Sequence, residues 1–325
     1  MSDAMLQTSH LSKTFFAGRG KKAKDVEAVK DVDLEVRKGE IFGFLGPNGA
    51  GKSTTLNMLT TLLAPTNGKA TVAGYDLLRY PQKVREQIGY VSQAGGADTF
   101  ANAYENLLLQ ARLYGIAKAK ASQKATELVA RFQMSDFAGR EARTYSGGQK
   151  RRLELALGIV HQPTLVFLDE PTTGLDPQSR AYFWEEIKRL KTEGMTVFLT
   201  THYLEEADHL CDRVAIIDHG TIVALDTPTQ LKREIGAESI SVDFATDVDT
   251  ERANAVLGSM PVIQKMYRQE NKLFLFVQDG GSMMAEVLRI IDKENIPIQS
   301  IGLSRPSLDD VFLQKTGRSL REGKN

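Results

Sequence analysis

The chain has 325 residues, room for one large domain and a smaller one. Its 41 Lys and Arg balance 41 Asp and Glu, so overall charge gives no reason to expect nucleic acid as a partner. The single cysteine excludes an intrachain disulfide and a Cys-rich metal site. Beside Leu210 and Val214, Cys211 reads as a small core residue. No apolar run approaches the length of a membrane span, and Met1–Met5 lacks the basic and apolar regions of a signal peptide. The polypeptide is therefore expected in the cytosol, with any membrane role requiring another chain.

In chain order, Met5 to Phe16 reads as a strand, and the basic loop Gly18 to Lys24 as a solvated hairpin tip. Val26 to Val36 alternates, with Val32, Leu34 and Val36 on one face of a half-buried strand. The apolar strand Ile41 to Leu45 leads into Gly46-Pro47-Asn48-Gly49-Ala50-Gly51-Lys52-Ser53, and an amphipathic run, Thr54 to Leu63, leads out. A G-x-x-x-x-G-K-[ST] loop between strand and helix is a phosphate-binding arrangement. Its glycines let backbone N–H groups curl inward around a triphosphate, and the helix N-terminus adds partial positive charge. Lys52 is expected on the β- and γ-phosphates and the Ser53 hydroxyl on Mg²⁺.

Asn67-Gly68 is expected to turn into a short strand carrying Ala70 and Val72, and Ile88 to Gln93 reads as a buried strand that stops at a polar residue. Two helices follow, one through Leu107, Ala111 and Tyr114, the other through Ala125, Val129 and Phe132. Tyr145-Ser146-Gly147-Gly148-Gln149 precedes a helix from Lys150 to His161, closed by Pro163. Thr164 to Leu168 is an apolar strand ending in Asp169-Glu170. Pro177 to Lys191 is helical, and Met195 to Thr200 is a strand leading to His202. This alternation predicts a mostly parallel α/β sheet with ligand-binding residues at strand C-termini.

Beyond about Ile235 the order becomes βαββαβ, a ferredoxin-like arrangement with no catalytic constellation. Ile240, Val242, Leu273, Leu275, Val287 and Ile290 are its expected core. A last helix, Ser307 to Lys315, carries an apolar stripe of Leu308, Val311 and Phe312, with Leu313 at its edge. The stripe is expected either to dock on a neighbouring surface or to close the small domain's own open face. The residues after it read as a frayed polar end.

Chemistry links the strand ends. Asp169 suits Mg²⁺ held through water, Glu170 the orientation or deprotonation of an attacking water, and Gln93 and His202 the γ-phosphate region. Each also has a plainer reading: Gln93 as a strand cap, His202 as a satisfied core imidazole, Asp169-Glu170 as a helix-start pair.

Together, over residues 5 to 235, these segments resemble the ATP-binding-cassette (ABC) ATPases. Gly46, Pro47, Asn48, Gly49, Ala50, Gly51, Lys52 and Ser53, with Thr54 behind them, resemble the Walker A loop, and Gln93 the Q-loop glutamine, a further Mg²⁺ ligand. Ser146, Gly147, Gly148 and Gln149 resemble the signature, with Tyr145 where Leu is usual. Leu165 to Glu170 resembles Walker B with its catalytic glutamate, Gly174-Leu175-Asp176 the D-loop, and His202 the switch histidine. Phe15 takes the place of the adenine-stacking aromatic, with Phe16 the alternative register.

The resemblance implies ATP and Mg²⁺ as ligands, and catalytic roles for Glu170, His202 and Gln93. It also implies a head-to-tail dimer in which Ser146 to Gln149 and Asp176 of one copy meet the ATP held by the other. The implied fold is an ABC ATPase core over 1–235 with antiparallel β and helical subdomains, the helical one at about 100–145. An accessory domain over 236–325 resembles that of daunorubicin-resistance-type bacterial exporter ATPases, through Pro306 to Phe312 and Thr316-Gly317. In those systems a separate chain spans the membrane, which puts the ATPase on the cytoplasmic face of the plasma membrane, against its permease. A cytosolic family member acting on nucleic acid or ribosomes is the alternative. Long coiled-coil arms, cysteine pairs or a second cassette would favour it, and the sequence holds none of these.

Overall fold

A computed structural model describes residues 4–16, 25–235, 238–258, 260–263, 265–304 and 306–316. Two compact units divide the chain, one running up to Pro228 and the other spanning Thr229–Ser319. The loop expected at Gly18 to Lys24 and the expected polar end after Thr316 lie outside the described residues.

In the first unit, β1 (Ala4–Phe15) and β2 (Val26–Arg37) form an antiparallel pair, and Val32, Leu34 and Val36 of β2 are buried as their alternation requires. The fully buried β3 (Ile41–Leu45) runs into the phosphate loop and α1 (Lys52–Leu59). That helix starts two residues earlier than expected and stops short of Leu63. Thr61 lies at φ 64°, outside helical space, and ends it. Asn67-Gly68, expected as a turn, lies inside β4 (Asn67–Val72), which pairs with β1. There β1 bulges around His10, and Gly68 sits at φ +90° with its α-carbon so close that a Cβ would lie 2.3 Å from the His10 carbonyl. Glycine marks a bulge here rather than a turn.

Then come β5 (Tyr75–Asp76), α2 (Pro81–Gln87), β6 (Ile88–Val91), α3 (Ala103–Leu113) and α4 (Lys118–Arg131). Asn102 and Glu105 build a capping box that starts α3. Ser146 and Gln149 build another for α5 (Gly147–Ile159), so this helix begins at Gly147, inside the glycine pair, and not at Lys150. The unit continues with β7 (Leu165–Asp169), α6 (Pro177–Thr192), β8 (Thr196–Thr201), α7 (Leu204–Leu210), β9 (Arg213–Asp218) and β10 (Thr221–Asp226).

The sheet order is β5-β4-β1-β2-β10-β9-β3-β8-β7-β6. From β9 to β6 every neighbouring pair is parallel, while the β1, β2, β4, β5 end is antiparallel. Phe198 of β8 packs against Phe42 and Phe44 of β3 and Phe167 of β7, with ring centroids 5.7, 5.6 and 5.4 Å away. Each buried ring contributes about 1.5–3 kcal/mol, and a one-residue slip would turn it to the other face, so this cluster holds the three strands in register. Register fixes which residues emerge together at the strand C-termini. Cys211 is buried beside β3, where a Cβ on Gly43 would lie 2.6 Å from its sulfur.

In the second unit, β11 (Glu238–Phe244), α9 (Asp247–Leu257), β12 (Lys265–Gln269), β13 (Lys272–Val277), α10 (Gly280–Lys293) and β14 (Ile298–Ser304) give the βαββαβ order. Their antiparallel sheet runs β12-β13-β11-β14, the ferredoxin-like arrangement. Ile240, Val242, Leu273, Leu275 and Val287 are buried in its core, and Ile290 packs against it. The helix α8 (Pro228–Ile235) meets this unit at its start, and the last helix, α11 (Leu308–Thr316), buries Leu308, Val311 and Phe312 while Leu313 stays exposed. Lys315 of the last helix pairs with Glu234 at 3.3 Å. Among the described residues, no helix is long and apolar enough to cross a membrane.

Candidate active site

The parallel strands deliver their polar ends to one place. After β3 the chain turns through Gly46 to Gly51, and Gly51, at φ +107°, is the N-cap of α1. A Cβ on it would lie 2.5 Å from the Ala28 carbonyl of β2, so glycine is required for both φ and space. Lys52 folds back over the loop, donating to the Gly46 carbonyl at 2.8 Å and the Pro47 carbonyl at 3.1 Å. A cavity of about 450 Å³ opens beside it, lined by the loop (Asn48, Gly49, Gly51 to Thr54), Phe15, Gln93 and Glu170. Phe15 lines this cavity and Phe16 does not.

Two carboxylates follow one another at the end of β7, and of the two Glu170 lines the cavity. Asp169, the last residue of β7, accepts from the Thr200 hydroxyl at 2.6 Å and from the Ser53 hydroxyl at 3.3 Å. Glu170 follows at φ +44° and is the meeting point of the site. Lys52 Nζ lies 3.3 Å from its Oε1, and Gln93 Nε2 donates to Oε2 at 3.2 Å. His202, just past β8, places Nδ1 3.1 Å from Oε2, off the angle of a hydrogen bond. Burial pushes the Glu170 carboxyl up, but the His202 imidazole and Lys52 ammonium outweigh it and hold the pKa below the usual carboxylate value. Burial pulls Lys52 down in turn, only partly offset by Glu170 and Asp169.

The remaining expected residues lie elsewhere. Ser146 and Gln149 cap α5, their side chains exchanging bonds with each other's backbone N–H at 3.3 and 3.0 Å. Asp176 caps α6, accepting from Ser179 N at 2.9 Å and Ser179 Oγ at 2.6 Å. Hydrogen bonds from Ser179 hold its carboxyl below the ordinary value. Neither cap lines the cavity beside Lys52, so one chain carries a phosphate loop and a second, separate anion-suited helix end.

The family described as ABC transporter matches residues 29–173, and the one described as ATP-binding protein DrrA1-3-like, C-terminal domain, matches residues 227–316. Daunorubicin resistance ATP-binding protein DrrA2 of Streptomyces coeruleorubidus is 41% identical over 91% of this chain and 92% of its own. Nod factor export ATP-binding protein I of Cupriavidus pinatubonensis is 35% identical over 92% of this chain and 89% of its own. The chain belongs to the ATP-binding subunits of ABC transporters.

The fold agrees. The ATP-binding cassette MJ0796, solved as a dimer in a post-hydrolysis state bound to ADP and Pi, matches with a TM-score of 0.62 at 25% identity, covering 69% of this chain and 98% of its own. The cassette described here is a nucleotide-binding ATPase of that family.

Several residues of the site carry no motif. Thr200 orients Asp169 through its hydroxyl, and the same hydroxyl accepts from the Glu170 N–H at 3.0 Å. Arg151 and Glu154, on α5, pair at 2.8 Å behind the carboxylates. Glu206 of α7 is fully buried and accepts from the Thr172 hydroxyl at 2.8 Å and the Trp184 indole at 3.3 Å. The one legible signal for Arg151 and Glu154 was a charge pair at helical i, i+3 spacing, which on most helices is a solvated face.

A larger cavity of about 610 Å³ lies at the opposite, N-terminal ends of β7 and β8, among Lys124, Arg131, Pro163 and Met195. It includes none of the motif residues. His10, Asp31 and Asp33 form a group that could hold a metal, but it is exposed on β1 and β2 and its hydrogen bonds hold the β1 bulge.

Proposed function

We propose that the cassette binds ATP across Phe15 and the Lys52 loop and hydrolyses it with Glu170 as general base, powering an exporter whose membrane-spanning subunit is a separate chain. The observation that carries this reading is the single carboxylate on the wall of the phosphate-loop cavity, ionised beside Lys52 and His202 and held by a hydrogen bond from Gln93. Glu170 takes a proton from water as the water oxygen bonds to the γ-phosphorus, and the bond to ADP breaks with its electron pair leaving on ADP. Lys52 turns from Glu170 to the β- and γ-phosphates, and His202 and Gln93 hold the γ-phosphate and the water. The oxygen donors Ser53 and Asp169, with Gln93 beside them, suit Mg²⁺. When bound, that ion neutralises charge building on the phosphates.

The exposed α5 N-terminus (Ser146, Gly147, Gly148, with Gln149) and Asp176 are assigned to the nucleotide of a second copy docked head to tail. The exporter assignment follows the relatives, which are named for drug resistance and Nod factor export. It places the cassette on the cytoplasmic face of the membrane, held by its permease. Residues 229–319 are assigned an accessory role in assembly, away from the chemistry.

Mixing two dead chains tests the head-to-tail reading. Lys52→Ala disables the loop, and Ser146→Arg blocks the signature. Each should be inactive alone, and an equimolar mixture should recover about a quarter of wild-type hydrolysis, since half the dimers hold one intact composite site. No recovery on mixing would refute the assignment of Ser146 to the partner's nucleotide.

A further inference from the structure

We infer that Arg151 is a positioning residue for hydrolysis, holding Glu170 and Gln93 in place from the signature helix. The inference rests on Glu170 being the base. Glu170 lies at φ +44°, a region that non-glycine residues seldom occupy. Arg151 is the holder. Its Nε donates to the Pro171 carbonyl at 2.7 Å, and its Nη2 to the carbonyls of Asp169 at 3.1 Å and Glu170 at 3.5 Å. Three successive carbonyls thus converge on one guanidinium, which bends the backbone around Glu170 and turns its side chain towards the phosphate cavity.

The same group holds the other loop. Arg151 Nη1 donates at 2.8 Å to the carbonyl of Ser92, the residue before Gln93, and the Gln93 amide in turn donates to Glu170. Glu154, buried like Arg151, accepts from Nη1 at 2.8 Å and neutralises a charge that could not otherwise be buried. The Phe183 ring lies 5.9 Å from the guanidinium carbon. Every nitrogen of the fork is engaged, and a lysine ammonium cannot span the same acceptors.

Arg151 also lies on α5, about 7.5 Å along the helix from Ser146 at 1.5 Å per residue. A rigid helix therefore joins the group assigned to the second copy's nucleotide to the backbone that aims this copy's own base.

The test is Arg151→Lys in the full chain, read as MgATP hydrolysis, nucleotide affinity and thermal melting. We expect kcat to fall at least about thirtyfold, as misplacement of reacting groups by an ångström does. The KM for ATP and the affinity should stay within about twofold, because no Arg151 contact reaches the phosphate loop. Adding Arg151→Lys to Glu170→Gln should lower hydrolysis no further, since both changes act through one group. A wild-type kcat in Arg151→Lys, or affinity and melting lost in step with kcat, would overturn the inference.

If Glu170→Gln itself hydrolysed ATP at the wild-type rate, the base assignment would fail first. An inactive Glu170→Gln beside a fully active Arg151→Lys would sink only the present inference. Should Arg151→Lys not fold, Glu154→Gln serves instead. It keeps an acceptor for the guanidinium while removing its counter-charge, and kcat should drop at least about fivefold at unchanged affinity. An unchanged kcat in that variant would equally refute it.

Discussion

Replacing Glu170 by glutamine separates two jobs that its carboxylate performs. As a base, the amide is nearly isosteric but accepts no proton, so hydrolysis should fall by about 10²- to 10⁴-fold, equivalent to roughly 2.7–5.4 kcal/mol of barrier. As the partner of Lys52, Glu170 competes with ATP. The two charges lie 3.3 Å apart, and both side chains are nearly inaccessible to water. At an effective dielectric of about 20 the gross attraction is roughly 5 kcal/mol. Desolvation offsets most of it, and Lys52 keeps its bonds to the Gly46 and Pro47 carbonyls in the variant.

A net gain of about 1–1.4 kcal/mol for ATP binding remains, or a five- to tenfold tighter complex. Phosphate release in steady state measures the first effect and titration with a fluorescent nucleotide the second. Near wild-type hydrolysis would show that another group takes the proton. Weaker ATP binding would show that Lys52 and Glu170 do not compete for one another against phosphate.

Phe15→Ala should weaken ATP by about 1–3 kcal/mol, the worth of one base stacked on an aromatic ring, whereas Phe16→Ala should stay within about twofold; equal losses by equilibrium binding would contradict the register given by the cavity wall. Burial holds the Glu206 carboxyl above its ordinary value of 4.5, so the folded chain binds this proton more tightly than the unfolded one. Stability is therefore lost as pH rises from 4.5 towards the folded value, by about 1.4 kcal/mol per pH unit crossed. Glu206→Gln retains the acceptor for Thr172 and Trp184, so it should melt higher than wild type at pH 8 and show a smaller difference at pH 5. The same gap at both pH values would mean that Glu206 does not titrate in that window.

Much of this molecule was legible before folding. Gly46 to Ser53, Ser146 to Gln149 and Asp169-Glu170 are local devices, in which a few neighbouring residues bind an anion or end a strand with a carboxylate, and local chemistry is visible in order and spacing. The βαββαβ pattern of the second unit was legible for the same reason, since its strands alternate and its core residues fall on one face. Between Tyr203 and Ile235 only the core position of Cys211 was legible, and the elements α7, β9, β10 and the helix Pro228–Ile235 were not. Its strand β9 is buried almost throughout, so it lacks the alternation that marks a strand.

Tertiary structure alone decided the rest, because each remaining feature joins residues far apart in the chain. Register across β3, β8 and β7, held by four phenylalanines, brings Ser53 to Asp169 and Thr200 to both carboxylates. The left-handed backbone of Glu170 follows from carbonyls gathered by Arg151 on another element. No pattern in Arg151's neighbours distinguishes it from the exposed arginine a helix usually carries, since burial and the convergence of acceptors are properties of the packed molecule.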